Sequence, residues 1–141
     1  MDGPTADPWP ETDDDCVRKK VPHGGGHDLH DMCADTLPGN VVSGSDLYVA
    51  PPGEKGWKFD AYTPDDNTLW EVKTDRYERG SEWLKYRRLN DQVDEFQRQA
   101  YIANKCNHGF KVSVSDLEQA LLLQEILGPV GIDVEHRGDC P

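Results

Sequence analysis

The chain has 141 residues and a mass of 15.9 kDa, enough for one compact domain with a hydrophobic core. Its 15 basic and 27 acidic residues give a net charge of −12, so a nucleic-acid partner meets overall repulsion unless basic groups are concentrated locally. No apolar run approaches the roughly 18 residues of a membrane-spanning helix, and the N-terminus lacks a signal-peptide pattern. A polar, single-domain protein without a membrane partner is expected, whose export would need a segment outside this chain.

Residues 1–15 combine proline, glycine and clustered acids with almost nothing to bury. We predict an acidic linker or disordered arm there, followed by one domain over residues 16–141. Such an arm would suit a module cut from a longer protein. Among residues 76–88, five bases outnumber two acids, which predicts either a phosphate-holding stretch or a solvated helix face.

The predicted elements begin with a short helix, because Leu29, Met32, Cys33 and Leu37 follow helical spacing before Pro38. Three strands are predicted next, at residues 46–50, 56–62 and 68–74. Proline-containing turns separate them, so they should form an antiparallel meander.

The second half of the chain alternates between helices and strands. We predict a long helix over residues 81–107, closed by Gly109, and a strand at 110–114. Ser115 and Glu118 form a predicted capping box for a helix that ends before Gly128, and a last strand covers 130–135. The order αβββαβαβ predicts an α/β fold with a mixed sheet flanked by helices.

The four cysteines contain no C-x-x-C pair, which disfavours a zinc ribbon or a thioredoxin-like site. Because domain termini often lie close together, we favour disulfides Cys16–Cys140 and Cys33–Cys106. Four free thiols in a reducing compartment are the alternative.

The third predicted strand places an acid and an amine on one face. Alternation in LWEVKT directs Glu71 and Lys73 to the same side, and a meander turn brings Asp60 beside Glu71. Asp60, Glu71 and the Val72 carbonyl are hard oxygen ligands for Mg²⁺ or Mn²⁺, and Lys73 could steady an attacking water in phosphodiester hydrolysis. A cross-strand salt-bridge cluster is the competing interpretation.

The segment FDA, followed after a turn by LWEVKTD, resembles the PD-(D/E)XK nuclease superfamily, the restriction-endonuclease-like fold. The family's αβββαβ core matches the elements predicted from about His27 to Val114. The resemblance implies that Asp60 is the motif aspartate, Glu71 the second acid and Lys73 the motif lysine. Phe59 stands where the family name has proline.

Two further features extend this resemblance. Gln97 and Tyr101 form Q-x-x-x-Y in the helix after the E-x-K strand, as in the RecB-like branch, which implies that both residues orient DNA or metal-site groups. A packed tyrosine and a solvated glutamine are the alternative. The first helix of the family often adds an acid near the metal, and Asp35 is favoured here over Asp31 and Asp28.

The whole domain resembles the restriction-endonuclease-fold toxin modules at the C-termini of bacterial polymorphic toxins. The resemblance implies a DNA-degrading toxin, a cognate immunity protein and a longer parent polypeptide that supplies secretion, with action in the cytoplasm of a rival cell. No organic cofactor is expected. RNA is the main rival substrate, and a catalytically silent binding module is the alternative from another class.

A zinc site is the remaining alternative for the first helix. His23, His27, His30 and Cys33 lie close together in the sequence, in a spacing that places several of them on one side of a helix. We rank this site below the nuclease site, because Cys33 is also expected in the core or in a disulfide. His27 or His30 is instead expected to cap, to pack or to touch substrate.

Overall fold

In the computed structural model, residues 9, 14–23, 28–74 and 82–138 are described, and of Asp28, Leu29 and residues 82–89 the backbone alone. The fold is mixed α/β, as predicted. Seven strands and three α-helices follow in the described part of the chain: β1 (Val17–Pro22), α1 (Asp28–Asp35), β2 (Ser45–Ala50), β3 (Trp57–Phe59), β4 (Ala61–Thr63), β5 (Thr68–Lys73), α2 (Glu82–Lys105), β6 (Gly109–Val114), α3 (Leu117–Leu127) and β7 (Asp133–His136). A short 3₁₀ helix at Gly128–Val130 joins α3 to β7, so the last strand begins three residues later than predicted.

The strands form two sheets that share one stretch of chain. Antiparallel strands in the order β1-β2-β3 make the first sheet. In the second, of order β4-β5-β6-β7, β4 is antiparallel to β5, whereas β6 and β7 run parallel to β5. The predicted strand at 56–62 divides at Asp60, because its first half pairs with β2 and its second half with β5.

Helices cover both faces of the second sheet. Phe96 and Ile102 of α2 and Leu123 of α3 pack in the main core with Leu69 and Val112 of the central strands. Ala34 of α1 and its neighbours pack in a separate cluster with Ala61, Trp70 and Val72. The alternation predicted for LWEVKT is therefore confirmed, since Trp70 and Val72 lie under α1 on the face away from Lys73.

Three details of the elements differ from the predictions. Strand β1 was not anticipated, because VRKKVP lies at a sheet edge with most of its side chains exposed or half-buried and lacks an apolar alternation. Helix α2 ends at Lys105, where Asn107 adopts a left-handed φ of 65°, and Gly109 instead begins β6. The N-cap of α3 is Asp116 rather than Ser115, since its side chain accepts a hydrogen bond from the Gln119 amide.

The predicted disulfide pairing is wrong. Cys16 is bonded to Cys106, with 5.9 Å between their Cα atoms. Strand β1 lies beside the end of α2, where Arg18 donates a hydrogen bond to the Cys106 carbonyl, and this contact brings Cys16 to Cys106. Cys33 is also disulfide-bonded, so none of the described cysteines is a free thiol.

The predicted linker falls largely outside the described residues. Of its members, Trp9 packs against the main core, and the Asp14 carboxylate accepts hydrogen bonds from Arg18 at 2.7 and 3.1 Å. No helix in the described part of the chain is both long and apolar enough to cross a bilayer.

Candidate functional site

Three buried acids lie side by side on neighbouring strands. Asp60 occupies the junction of β3 and β4, and the strand registers place Asp46 of β2 on one side of it and Glu71 of β5 on the other. We call these three residues the acidic row. They are only 8%, 7% and 8% exposed in chain order. Buried carboxylates this close repel one another, so the row requires protons or cations to compensate it.

The centre of the acidic row is fixed by hydrogen bonds. Asp60 Oδ2 accepts a bond from the Val72 amide at 2.8 Å, and a side-chain hydrogen bond joins Asp60 to Glu71. Burial and the charge of Asp60 raise the pKa of Glu71 well above its usual value, although Lys73 opposes the shift. Lys73 Nζ lies 3.3 Å from Glu71 Oε2. The structure thus brings together Asp60, Glu71 and Lys73, as the strand pattern predicted.

His30 of α1 lies over the same centre. Its Nε2 is 2.9 Å from the Val72 carbonyl oxygen and 3.3 Å from Asp60 Oδ2. The hydrogen bond with Asp60 raises the pKa of His30 to about 9, although burial opposes this. The ring is therefore a cation at neutral pH, and Nε2–H donates between two of the oxygens that were predicted to hold a metal ion.

His23, directly after β1, is hydrogen-bonded to Asp46 at the other end of the acidic row. Its Nδ1 is 2.8 Å from Asp46 Oδ1, and its Nε2 is 3.0 Å from Asp35 Oδ1. Burial lowers the pKa of His23, but the hydrogen bonds with Asp46 and Asp35 outweigh that effect and leave the pKa raised. For Asp46, burial raises the pKa against the hydrogen bond with His23, and the charge of Asp60 raises it further.

Asp35, the acid predicted from the first helix, lies near the acidic row without a direct hydrogen bond to it among the described residues. Its carboxylate binds His23 and accepts a hydrogen bond from the Gly44 amide at 2.8 Å. Asp31 lies between the two histidines, with Oδ1 at 3.7 Å from His23 Nδ1 and 3.4 Å from His30 Nδ1. Asp35 and Asp31 are therefore connected to the acidic row through the imidazole rings of His23 and His30.

The predicted Q-x-x-x-Y pair lies on the outer side of α2. Gln97 is exposed, and no described hydrogen bond connects it with the acidic row. The Tyr101 hydroxyl donates to Glu54 at 3.1 Å, and its side chain is 47% exposed. Phe96 faces the site instead, with Lys73 Nζ 5.8 Å from the centroid of its ring. The position of Gln97 fits the solvated alternative better than a role at the acidic row.

The alternative of a zinc site is not supported, because its one predicted sulfur ligand is not a free thiol. Cys33 is disulfide-bonded, so it offers no thiolate, and both nitrogens of His23 are hydrogen-bonded to carboxylates. His27 and the side chain of Asp28 lie outside the described residues. So do residues 76–81 of the predicted basic stretch and the side chains of the remainder.

The oxygen donors at the centre of the row fit a divalent cation in their chemistry. Asp60, Glu71 and the Val72 carbonyl are hard ligands, and a cation would relieve the repulsion that raises the pKa of Glu71. In the described residues, no group of three or more His, Cys, Asp or Glu side chains is arranged to hold a metal ion. A metal ion would therefore be held by two carboxylates and one backbone oxygen. In this structure the positive charge next to these oxygens comes from His30.

Sequence reasoning missed two parts of this site. Asp46 was placed at the start of a predicted strand next to the strand of Asp60, so antiparallel pairing could have brought it to Asp60. The bridging role of His23 had no sequence signal, because it depends on the packing of β1, which was not predicted.

A comparison with protein families gives one match, over residues 10–134, to a family of unknown function, DUF6310. The match covers most of the chain, so the chain belongs to this family. No curated protein and no solved structure matches it.

Proposed function

We propose that this member of the DUF6310 family is a metal-dependent nuclease that hydrolyses DNA phosphodiester bonds with a restriction-endonuclease-like core. The observation in its favour is the paired carboxyl groups of Asp60 and Glu71, with the Lys73 ammonium 3.3 Å from Glu71. Paired buried acids with a raised pKa cost folding free energy, and such arrangements are concentrated at functional sites. A salt bridge placed only for stability would not need two adjacent buried acids.

Each residue has a defined part in the proposed reaction. Asp60, Glu71 and the Val72 carbonyl would hold Mg²⁺ or Mn²⁺. The ion, when bound, supplies Lewis acidity that favours attack on phosphorus. Lys73, held by Glu71, is placed to orient the attacking water and to stabilise negative charge on the phosphate oxygens. His30 would hold the carbonyl and Asp60 in place until substrate arrives.

The motif resemblance extends this proposal to biology. A toxin module of a longer secreted polypeptide, opposed by a cognate immunity protein, would act on the DNA of a rival bacterium in its cytoplasm. Expression of the domain in bacterial cytoplasm should then stop growth and degrade the chromosome. Growth arrest with intact DNA and degraded RNA would instead favour the RNA-cleaving alternative.

Cleavage assays test the site directly. Purified protein is incubated with supercoiled plasmid, linear DNA and total RNA, with Mg²⁺ or with EDTA. We expect Mg²⁺-dependent loss of DNA, and we expect Lys73→Ala and Glu71→Gln to lower the rate by roughly 100-fold or more, because each loses a group that acts on the reacting atoms.

Lys105→Ala is the matched control, since Lys105 is an exposed lysine at the end of α2. It should cleave like the wild type. Full activity in Lys73→Ala or Glu71→Gln would refute the site, and a wild-type protein that cleaves neither DNA nor RNA would favour the binding-module alternative.

A further inference from the structure

We propose that His23 is a positioning residue that fixes α1, and with it His30, over the acidic row. Its kinetic consequence rests on the proposed nuclease function, whereas its structural consequence does not. His23 has no counterpart in the nuclease-motif residues predicted from the sequence, and none of its contacts with described residues places it at the reacting atoms.

His23 connects three elements through one ring. It follows β1, its Nδ1 bonds to Asp46 of β2, and its Nε2 bonds to Asp35 at the end of α1. A protonated imidazole has two opposed N–H donors, which is the geometry needed to bridge two carboxylates on either side of it. A glutamine has one amide donor group and a carbonyl oxygen, and the oxygen cannot bond to an ionised carboxylate.

The bridge matters because α1 has only eight residues and bears His30 as its third residue. Other anchors hold the C-terminal end of α1: Arg137 donates to the Cys33 and Thr36 carbonyls, and Asn40 Nδ2 donates to the Ala34 carbonyl at 3.0 Å. These anchors do not reach β2, although the Gly44 amide, just before that strand, also donates to Asp35 at 2.8 Å. Among the described contacts, His23 alone ties the helix to Asp46, the neighbour of Asp60.

Loss of the bridge has two consequences at the site. Asp46 would remain buried beside Asp60 without its histidine partner, a costly arrangement that a shift of the side chain would relieve. α1 would lose the bond between its last residue, Asp35, and His23, and with it its connection to Asp46 of β2. His30 would then be held less firmly at 2.9 Å from the Val72 carbonyl.

Nuclear magnetic resonance of the histidine side chains tests this without any activity. The ¹⁵N and ¹H resonances of His30 are compared in the wild type, His23→Gln and the control Lys105→Ala, at one neutral pH and without metal. We expect the His30 Nε2–H resonance to shift or to broaden in His23→Gln alone. Lys105 is exposed at the end of α2, so its loss should leave His30 unchanged.

Kinetics supply the second readout. In His23→Gln we expect kcat to fall about 10- to 100-fold, the usual effect of removing a group that orients site residues, with KM changed less than about twofold. Asp46→Ala, which leaves no side-chain acceptor for His23 Nδ1, should have a similar effect. The double variant should lose little more than either single variant, because both remove the same bridge.

An unchanged His30 resonance in a folded His23→Gln protein would overturn the proposal. Should that variant fail to fold, Asp35→Ala removes the helix side of the bridge together with the Gly44 contact, and its His30 resonance is judged in the same way. A wild type without nuclease activity would refute the proposed function, and the His30 comparison would still decide the role of His23.

Discussion

His108 lies buried between two strands, and its hydrogen bonds determine which nitrogen bears the proton. Arg18 Nε donates to His108 Nε2 at 2.9 Å, so Nδ1 is protonated and donates to Asn67 Oδ1 at 2.7 Å. The Tyr62 hydroxyl donates to the same Asn67 oxygen at 2.9 Å. Burial, assisted by the Arg18 charge, lowers the pKa of His108 to about 4. This neutral ring contrasts with the cationic ring of His30 at the site.

The lowered pKa of His108 predicts a loss of stability in acid. The unfolded chain takes up a proton at this ring near pH 6.5, whereas the folded protein does so near pH 4. The contribution of His108 to the free energy of unfolding is therefore fully present above pH 6.5. As the pH falls from 6.5 to 4, the protein loses about 3 kcal/mol of this stability.

Urea unfolding of the wild type and of His108→Gln between pH 7 and pH 4 measures this effect. The variant, which has no ring to protonate, should lose about 3 kcal/mol less over that range than the wild type. Equal losses in the two proteins would show that His108 does not contribute.

Two neighbouring residues at the start of α3, Ser115 and Asp116, both have the sequence pattern of an N-cap. Ser115 with Glu118 and Asp116 with Gln119 both fit the spacing of a polar side chain and the amide three residues on. In the structure, the Asp116 carboxylate accepts from the Gln119 amide at 3.0 Å, and Asp116 has the extended backbone of an N-cap.

Asp116→Ala should therefore destabilise the domain by about 1 kcal/mol, the usual cost of losing an N-cap. Ser115→Ala, the matched control, should change stability by less than about 0.5 kcal/mol, as expected away from such a feature. Thermal or urea unfolding distinguishes the two. A larger loss of stability in Ser115→Ala than in Asp116→Ala would show that Ser115 is the N-cap.

For the whole molecule, the Cys16–Cys106 disulfide closes a loop of 90 residues in sequence and fastens β1 to the end of α2. Crosslinks over loops of this length restrict the unfolded chain, and removing a native one from a small domain commonly costs about 2 to 5 kcal/mol. Because β1 leads directly into His23, this crosslink also holds the strand that positions the bridge.

The pairing makes two measurable predictions. Digestion without reduction should release a peptide pair joined through Cys16 and Cys106. Under oxidising conditions, the double variant Cys16→Ser/Cys106→Ser should unfold at a lower urea concentration than the wild type. When both proteins are reduced, their urea midpoints should become similar. A peptide pair joining Cys16 to Cys140 would contradict the structure.

Local patterns in the sequence predicted most of the elements and the centre of the site. Strand alternation alone placed Glu71 and Lys73 on one face, and a short turn after the strand of Asp60 placed that carboxylate beside Glu71. These contacts involve neighbours in sequence, for which hydrogen-bond register follows from the local pattern.

Contacts between residues distant in sequence depended on the tertiary structure. Asp46 reached Asp60 through strand pairing, His23 reached Asp35 and Asp46 through the packing of an unpredicted edge strand, and Cys16 reached Cys106 across 90 residues. Sequence by itself determined the α/β class, the polar character and the Asp60–Glu71–Lys73 set, because period and turns are local. The folded chain alone decided which histidines compensate the buried acids, since no local pattern encodes which distant side chains meet.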